Sequence, residues 1–296
     1  MIDFRLLTLD DQPQVKPLLQ AAAERGAEYS FANSLVWGSF YNQQIAFVDG
    51  FLVVKAGIDA PHYNFPCGTG DVKAVVQRLA DDAAAHGLPF RMRALSEATK
   101  LRLEALFPGR FAYAAVRDWA DYVYLVGDLT ALAGRKYQPK RNLIARFGSE
   151  YENEWTYEDV DDRNIDECIA MNEEWCRLNG CLENGSLRTE TEAVAAMLAH
   201  FRRLDLRGGL LRVAGRVVAY TVGEPLTDDT FIVHIEKAFT EYRGAYQMIN
   251  RQFLMHHAGG FRYVNREDDS GDEGLRKAKL SYHPAFLHEK YTAWEK

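Results

Sequence analysis

Cysteine is scarce in this 296-residue chain: only Cys67, Cys168, Cys176 and Cys181 occur. None forms a Cys-x-x-Cys pair, and no nearby histidine cluster completes a zinc-ligand spacing. A structural metal is therefore not indicated, and reduced, buried thiols are expected. No apolar run approaches the roughly 18 uncharged residues that a membrane span requires. Met1 to Asp10 carries acidic groups and lacks the basic-then-apolar layout of a secretory signal. A water-soluble, cytoplasmic protein is the expectation. Basic residues are also in deficit, 35 against 42 acidic ones, for a net charge of −7. That balance argues against a generic nucleic-acid binder. The chain has neither a low-complexity linker nor a clear internal repeat.

What is present is ordinary globular composition, 47% hydrophobic and 26% charged, at a length that suits about two domains. Charge is unevenly placed. Arg135, Lys136, Lys140, Arg141 and Arg146 fall in a stretch with no acid, whereas acids greatly outnumber Arg163 between Glu150 and Glu174. Such a block is either a solvated helix surface or a local anion site.

The pattern opens with a short strand, Phe4 to Thr8, and a helix with Val15, Leu18, Leu19 and Ala22 on one face. Ile45–Val48 and Phe51–Ala56 flank Asp49-Gly50, a hairpin signal. Asp71 caps an amphipathic helix carrying Val72, Val75, Val76, Leu79 and Ala83, closed by Gly87. A strand at Phe90–Ala94, a helix at Ser96–Leu106 and a strand at Phe111–Val116 follow. Asp121–Leu129 is expected as a strand leading into the basic segment, which reads as a helix ending near Gly148. Helices are expected over Asp162–Leu178 and Glu190–Arg203. Leu210–Val213, Val217–Val222 and Thr230–Ala238 then form a β-meander, followed by a helix at Tyr246–His257, a strand at Tyr263–Glu267 and a helical stretch at Leu275–Ser281.

Candidate chemistry concentrates in the C-terminal half. Strand alternation places Ile232, His234, Glu236 and Ala238 on one face of Phe231–Ala238, with Lys237 on the other. Titratable His234 and Glu236 in so apolar a strand are either a site or a structural pair. On the strand at 263–267, Asn265 and Glu267 face one way, and Arg266 and Asp268 the other. If the two strands are neighbours, Asn265 and Glu267 join His234 and Glu236 in one polar cleft at the strand ends. Between them, Arg243-Gly244 precedes a helix bearing Tyr246 and Asn250, a position where backbone N–H groups can approach an anion. The acidic run Asp268–Gly274 lacks the spacing of a calcium loop and reads as a capped turn starting a last helix. Arg276 and Lys277 on that helix are solvated, answer the acidic turn, or meet phosphate.

Both halves run in one order: a helical start, a β-meander, a helix, another strand, then helix or strand. This resembles the GNAT (acyl-CoA N-acyltransferase) order, an α/β arrangement with mixed sheets. Two tandem GNAT-like domains are expected, at 1–128 and 129–296, with the probable active site in the second. More specifically, Gly134 to Phe147 (GRKYQPKRNLIARF), FIVHIEKA at 231–238, YRGAYQMINRQF at 242–253 and YVNREDDSGDEGLRKAKLSYHP at 263–284 resemble the family of the C-terminal domain of phosphatidylglycerol lysyltransferases. Asn33–Trp37 and Asn64–Asp71 are similar too, so the likeness covers nearly the whole chain.

That resemblance implies a fold shared with the Fem-type aminoacyl transferases. It also implies transfer of an aminoacyl group from aminoacyl-tRNA to an acceptor, a lipid head-group hydroxyl in characterised members, which carry a membrane domain not seen here. Lys140-Arg141-Asn142 resembles the basic helix of those enzymes. In the GNAT coenzyme A loop, Arg/Gln-x-x-Gly-x-Gly/Ala, only Gly244 fits; Glu241 and Tyr246 stand where a basic and a small residue belong.

The leading expectation is an acyltransferase or aminoacyltransferase acting on an amine or hydroxyl. His234 or Glu236 is general base, with Asn265 and Glu267 in the catalytic cleft. Lys140, Arg141, Asn142, Lys237, Arg243, Gly244, Tyr246, Asn250, Arg276 and Lys277 contact substrate or phosphate. The co-substrate is aminoacyl-tRNA or, in the alternative reading, acetyl-CoA. A non-catalytic ligand- or RNA-binding module on the same fold is the third reading.

Overall fold

The computed structural model describes residues 1–181 and 185–296, the side chain of Ser186 apart. The first stretch runs β1 (Arg5–Leu6), α1 (Gln12–Ala21), α2 (Phe31–Gly38), β2 (Gln44–Val48), β3 (Phe51–Ala56), β4 (His62–Tyr63), β5 (Cys67–Gly68), α3 (Val72–Ala85), β6 (Arg91–Leu95), α4 (Glu97–Leu106) and β7 (Phe111–Ala115). Then come β8 (Asp121–Leu125), α5 (Val126–Ala131), α6 (Gln138–Glu150), β9 (Trp155–Asp159), α7 (Ile165–Leu178) and α8 (Gly185–Ala199). The meander β10 (Arg207–Val213), β11 (Arg216–Pro225) and β12 (Thr230–Ala238) leads to α9 (Ala245–His257), β13 (Tyr263–Asn265), α10 (Glu273–Leu280), β14 (Phe286–His288) and β15 (Tyr291–Glu295).

These elements form two mixed sheets. One has the order β1-β2-β3-β4-β6-β15-β7, with β5 also on β3; the other has the order β14-β8-β13-β12-β11-β10-β9. The chain divides into two compact units. The first is Met1–Tyr122 with Glu267–Arg276 and Leu287–Lys296; the second is Val123–Arg266 with Lys277–Phe286. The first crossing lies near the boundary expected at 128/129, but two later segments return to the first unit. The reason is β15, which pairs antiparallel with both β6 and β7 and buries Ala293 completely. Five residues with so little alternation carry almost no sequence signal of a central strand.

Local rules account for the first unit's frame. Asp49 and Gly50 both take positive φ, 50° and 84°, as a two-residue hairpin turn requires. Ser30, Asp71 and Ser96 cap α2, α3 and α4 by accepting from the backbone N–H three residues on. The expected face of α3 is the buried one: Val75, Val76 and Leu79 pack on Phe51, Val53, Met92 and Ala293. Each such side chain removed from water contributes about 1.5–3 kcal/mol.

In the second unit, β13 runs parallel to β12 with α9 as the crossover, burying Met248, Ile249, Phe253 and Leu254. The expected strand 121–129 stops at Leu125. Val126 starts a short helix whose Thr130 hydroxyl bonds back to the Val126 carbonyl, and Leu132 ends it in the left-handed region. The strand at 263 ends at Asn265, and Glu267 turns to φ 58°. Strand β9 was not expected.

The first unit also contains a deeply buried ion pair. Lys290, 2% exposed, donates to Asp121, 0% exposed, at 2.7 Å and meets Glu28 at 2.7 Å. Removing one partner leaves an uncompensated buried charge, so Lys290→Met is expected to lower stability by about 3–5 kcal/mol in urea unfolding. The double variant Lys290→Met/Asp121→Leu should recover much of that loss. Recovery absent from the double variant would mean that the pair does not carry the effect.

Candidate functional site

β13 pairs with β12 only through Thr230–Ile232, although β12 continues to Ala238. Glu236 lies on the continuation. Its Oε2 accepts from Asn250 Nδ2 at 2.7 Å and its Oε1 from Arg266 Nη2 at 2.8 Å. Two elements thus fix one carboxylate: α9, through Asn250, and the end of β13, through Arg266.

Arg266 is the residue the sequence reading placed on the wrong face. Alternation fails because the strand stops at Asn265, two residues before its expected end, freeing Arg266 to turn toward Glu236. Its side chain is only 10% exposed, and Nη1 is buried without a hydrogen-bond partner. The guanidinium lies 4.8 Å from the Tyr282 ring centre and 5.6 Å from that of Tyr124. Burial alone would lower its pKa, but Glu236, Tyr124 and Tyr282 outweigh that and hold it raised. Lys140 joins the group, donating to Ser281 Oγ at 2.7 Å with Nζ 3.9 Å from the Tyr282 ring. Burial and then the neighbouring Arg266 charge lower the Lys140 pKa, and burial raises that of the Tyr282 phenol. Tyr124 and Tyr282 carry no distinctive spacing, which is why sequence alone passed over them.

His234 does not share this arrangement. The β11–β12 ladder shifts register between Val222/Gly223, pairing Val222 with Ile235 and Gly223 with Val233, so His234 is the extra residue of a bulge. A bulge breaks strict alternation. The His234 side chain is 1% exposed and its Nε2 is 3.4 Å from Oε1 of Glu224, whose side chain is 2% exposed. The two residues expected on one face therefore have separate partners. Asn265 is fully buried at the end of β13. Glu267 belongs to the first unit, where its carboxylate accepts from Asn33 Nδ2 at 2.8 Å.

The other expected contact residues divide. Lys237, on the opposite side of β12 from Glu236, holds Nζ 4.0 Å from the Trp175 ring and 3.2 Å from Glu190. Burial raises the pKa of the Tyr246 phenol, which the Ala238 amide and the Trp175 indole contact. Arg141 donates to the carbonyls of Leu132 and Gly134, closing the loop after α5. Arg276 binds Asp269 and Asp118, both at 2.7 Å, answering the acidic turn. Asn142, Arg243 and Lys277 are exposed. Gly244 has φ +96°, and a Cβ there would sit 2.2 Å from the Leu143 carbonyl oxygen. The close approach that this glycine permits is between α9 and α6.

The arrangement around Glu236 offers a carboxylate beside a buried guanidinium N–H, with the Lys140 side chain nearby. It suits a carbonyl or anionic group whose charge changes during reaction.

Residues 20–294 match the family described as phosphatidylglycerol lysyltransferase, C-terminal. A conserved protein of unknown function from Bacteroides thetaiotaomicron is 40% identical over 100% of both chains, with a TM-score of 0.95. L-PGS from Bacillus licheniformis is 13% identical, covering 97% of this chain and 92% of its own, with a TM-score of 0.67. FemX is 9% identical over 100% and 98%, with a TM-score of 0.61. These last two share the fold. An uncharacterized protein of Mycoplasmoides gallisepticum is 23% identical over 173 residues, and the matched stretch is 54% of that relative's length. Among the described residues, no helix is long and apolar enough to cross a membrane.

The packing role of Gly244 is separable from ligand contact. Gly244→Ala is expected to cost about 2 kcal/mol or more in thermal unfolding, since both its φ and its contact forbid a methyl. Arg243→Ala should leave the melting temperature unchanged. Unchanged stability in Gly244→Ala would contradict the packing account.

Proposed function

Because the chain belongs to the phosphatidylglycerol lysyltransferase C-terminal domain family, we propose that it is an aminoacyltransferase whose chemistry centres on Glu236 and Arg266. The observation that carries the reading is the buried, unpartnered Nη1 of Arg266 beside a carboxylate held at both oxygens. An unpaired donor in a buried site is poised for an oxygen that gains charge during reaction.

In this reading the donor is the ester of an aminoacyl-tRNA and the acceptor an amine or hydroxyl. The acceptor's proton passes to Glu236 as the new C–N or C–O bond forms. Arg266 Nη1 donates to the carbonyl oxygen as it becomes an oxyanion. The ester C–O bond then breaks, and the leaving hydroxyl takes the proton from Glu236. Asn250 positions Glu236. Lys140, with the exposed Arg243 and Lys277, meets phosphate. His234, enclosed with Glu224, is not assigned the base.

The test is binding of charged and uncharged tRNA, and of acetyl-CoA, over a salt series. Phosphate contacts release counterions, so tRNA affinity should fall linearly with salt on logarithmic axes. Arg243→Ala and Lys277→Ala should each weaken binding several-fold and flatten the slope by roughly one. Tight acetyl-CoA binding with no tRNA binding would overturn the donor assignment in favour of an acetyltransferase.

A further inference from the structure

In the first unit, β6 carries two arginines on one face. Met92 and its ladder partner Ala293 are fully buried, so alternation puts Arg91 and Arg93 on the opposite, outward face. Register carries that face across the sheet. Arg91 lies opposite Trp294 on β15, and Trp294 lies opposite Ala112 on β7; Thr292 lies opposite Ala114. Neighbouring strands are roughly 5 Å apart and every second residue is roughly 6.6 Å along, so these side chains share one small area. Trp294 is 39% exposed, and Ala112 across from it is too short to cover the ring. A cleft of about 500 Å³ is lined by Arg91, Thr292 and Trp294, with Pro89, Phe90 and Glu295.

Charge points the same way. Neither arginine meets a carboxylate among the described residues, and Arg93 Nε is buried with no hydrogen-bond partner. The Arg93 guanidinium lies 5.0 Å from the Trp119 ring centre. Burial and then the Arg91 charge lower the Arg93 pKa, and no acid acts against them. His62, on the neighbouring strand β4, is lowered to about 4 chiefly by burial and adds no third cation near neutral pH. Glu295, the acid that lines the cleft, is bound by Arg110 at 2.6 Å. A pair that merely faced water would have every N–H solvated, whereas one donor here is shut off from it. In a chain of net charge −7, two neighbouring unmatched cations mark a place for an anion.

We propose that Arg91, Arg93 and Trp294 form a nucleotide site, in which the arginines hold a phosphate and the base stacks on the Trp294 ring. Guanidinium forks match phosphate oxygens, which accept paired N–H bonds. An open indole face beside them supports a base of any identity. A simple carboxylate or phosphate would use the arginines alone and leave the indole idle. The chemistry recognised is the same for a free nucleotide and for one in a single strand. The site goes beyond the transferase reading and does not depend on Glu236 or Arg266.

The experiment is calorimetric and tryptophan-fluorescence titration of the full chain with AMP and with a single-stranded RNA trinucleotide. Ribose 5-phosphate and inorganic phosphate supply phosphate without a base, and adenosine a base without phosphate. AMP, the trinucleotide or both should bind and quench fluorescence, about tenfold or more tighter than the three controls. AMP binding as tightly as the trinucleotide assigns a free nucleotide; trinucleotide binding alone assigns a strand. Arg91→Ala should weaken binding about tenfold through lost charge-assisted hydrogen bonds. Trp294→Leu should weaken it about fivefold and remove most of the quenching, with the melting temperature unchanged because the ring is exposed; it keeps the test decisive if Arg91→Ala does not fold. Absence of binding by both nucleotide ligands, equal binding of ribose 5-phosphate or adenosine, or undiminished affinity in both variants would each overturn the proposal.

Discussion

The short ladder between β12 and β13 is the constraint on which the second unit's chemistry depends. Three residues of parallel pairing hold the two strands, and then β13 ends while β12 runs six residues farther. A longer ladder would carry Arg266 as a strand residue and leave Glu236 facing a hydrogen-bonded neighbour. The early stop turns the Arg266 side chain onto Glu236, where α9 meets the same carboxylate through Asn250. A parallel crossover thus ends in a fixed ion pair whose guanidinium keeps Nη1 unpartnered.

Both units put charge where water is scarce, and they balance it differently. The Glu236–Arg266 pair is matched one for one, with aromatic rings of Tyr124 and Tyr282 against the cation. Around Lys290 stand the carboxylates of Glu28 and Asp121, and burial, more than their mutual charge, raises the Glu28 carboxyl. The matched pair is a rigid dipole beside the unpartnered Nη1, whereas the Lys290 ammonium is enclosed by two acids at 2.7 Å. These are different uses of buried charge within one chain.

Much of the frame was legible in the sequence, because periodicity and turn chemistry act locally. Asp49-Gly50 forms its hairpin, and Asp71 caps α3 with the expected face inward. The adjacency of 230–238 with 263–265 also holds. Of the side chains that meet around Glu236, Glu236 itself, Asn250 and Lys140 were singled out from the sequence, but Arg266 and the aromatic rings were not. The failures share a cause. Strict alternation assumes an unbroken ladder, and the bulge at His234 and the stop after Asn265 each break one. Neither leaves a mark in residue types. Gly244 is ambiguous for another reason: a glycine before a helix reads alike whether a ligand or a neighbouring helix approaches it. The C-terminal strand β15 gains its place from partners nearly two hundred residues away, which no local pattern encodes.

The most direct test of the account is a single-turnover assay of amino-acid release from labelled aminoacyl-tRNA in the presence of amine and hydroxyl acceptors. Wild-type protein is compared with Arg266→Lys and Glu236→Gln. The account predicts acceptor-dependent transfer by the wild type and a loss of about 10²-fold or more in each variant, since one oxyanion donor or one positioned base is removed. Transfer undiminished in both variants would contradict the central role of the Glu236–Arg266 pair.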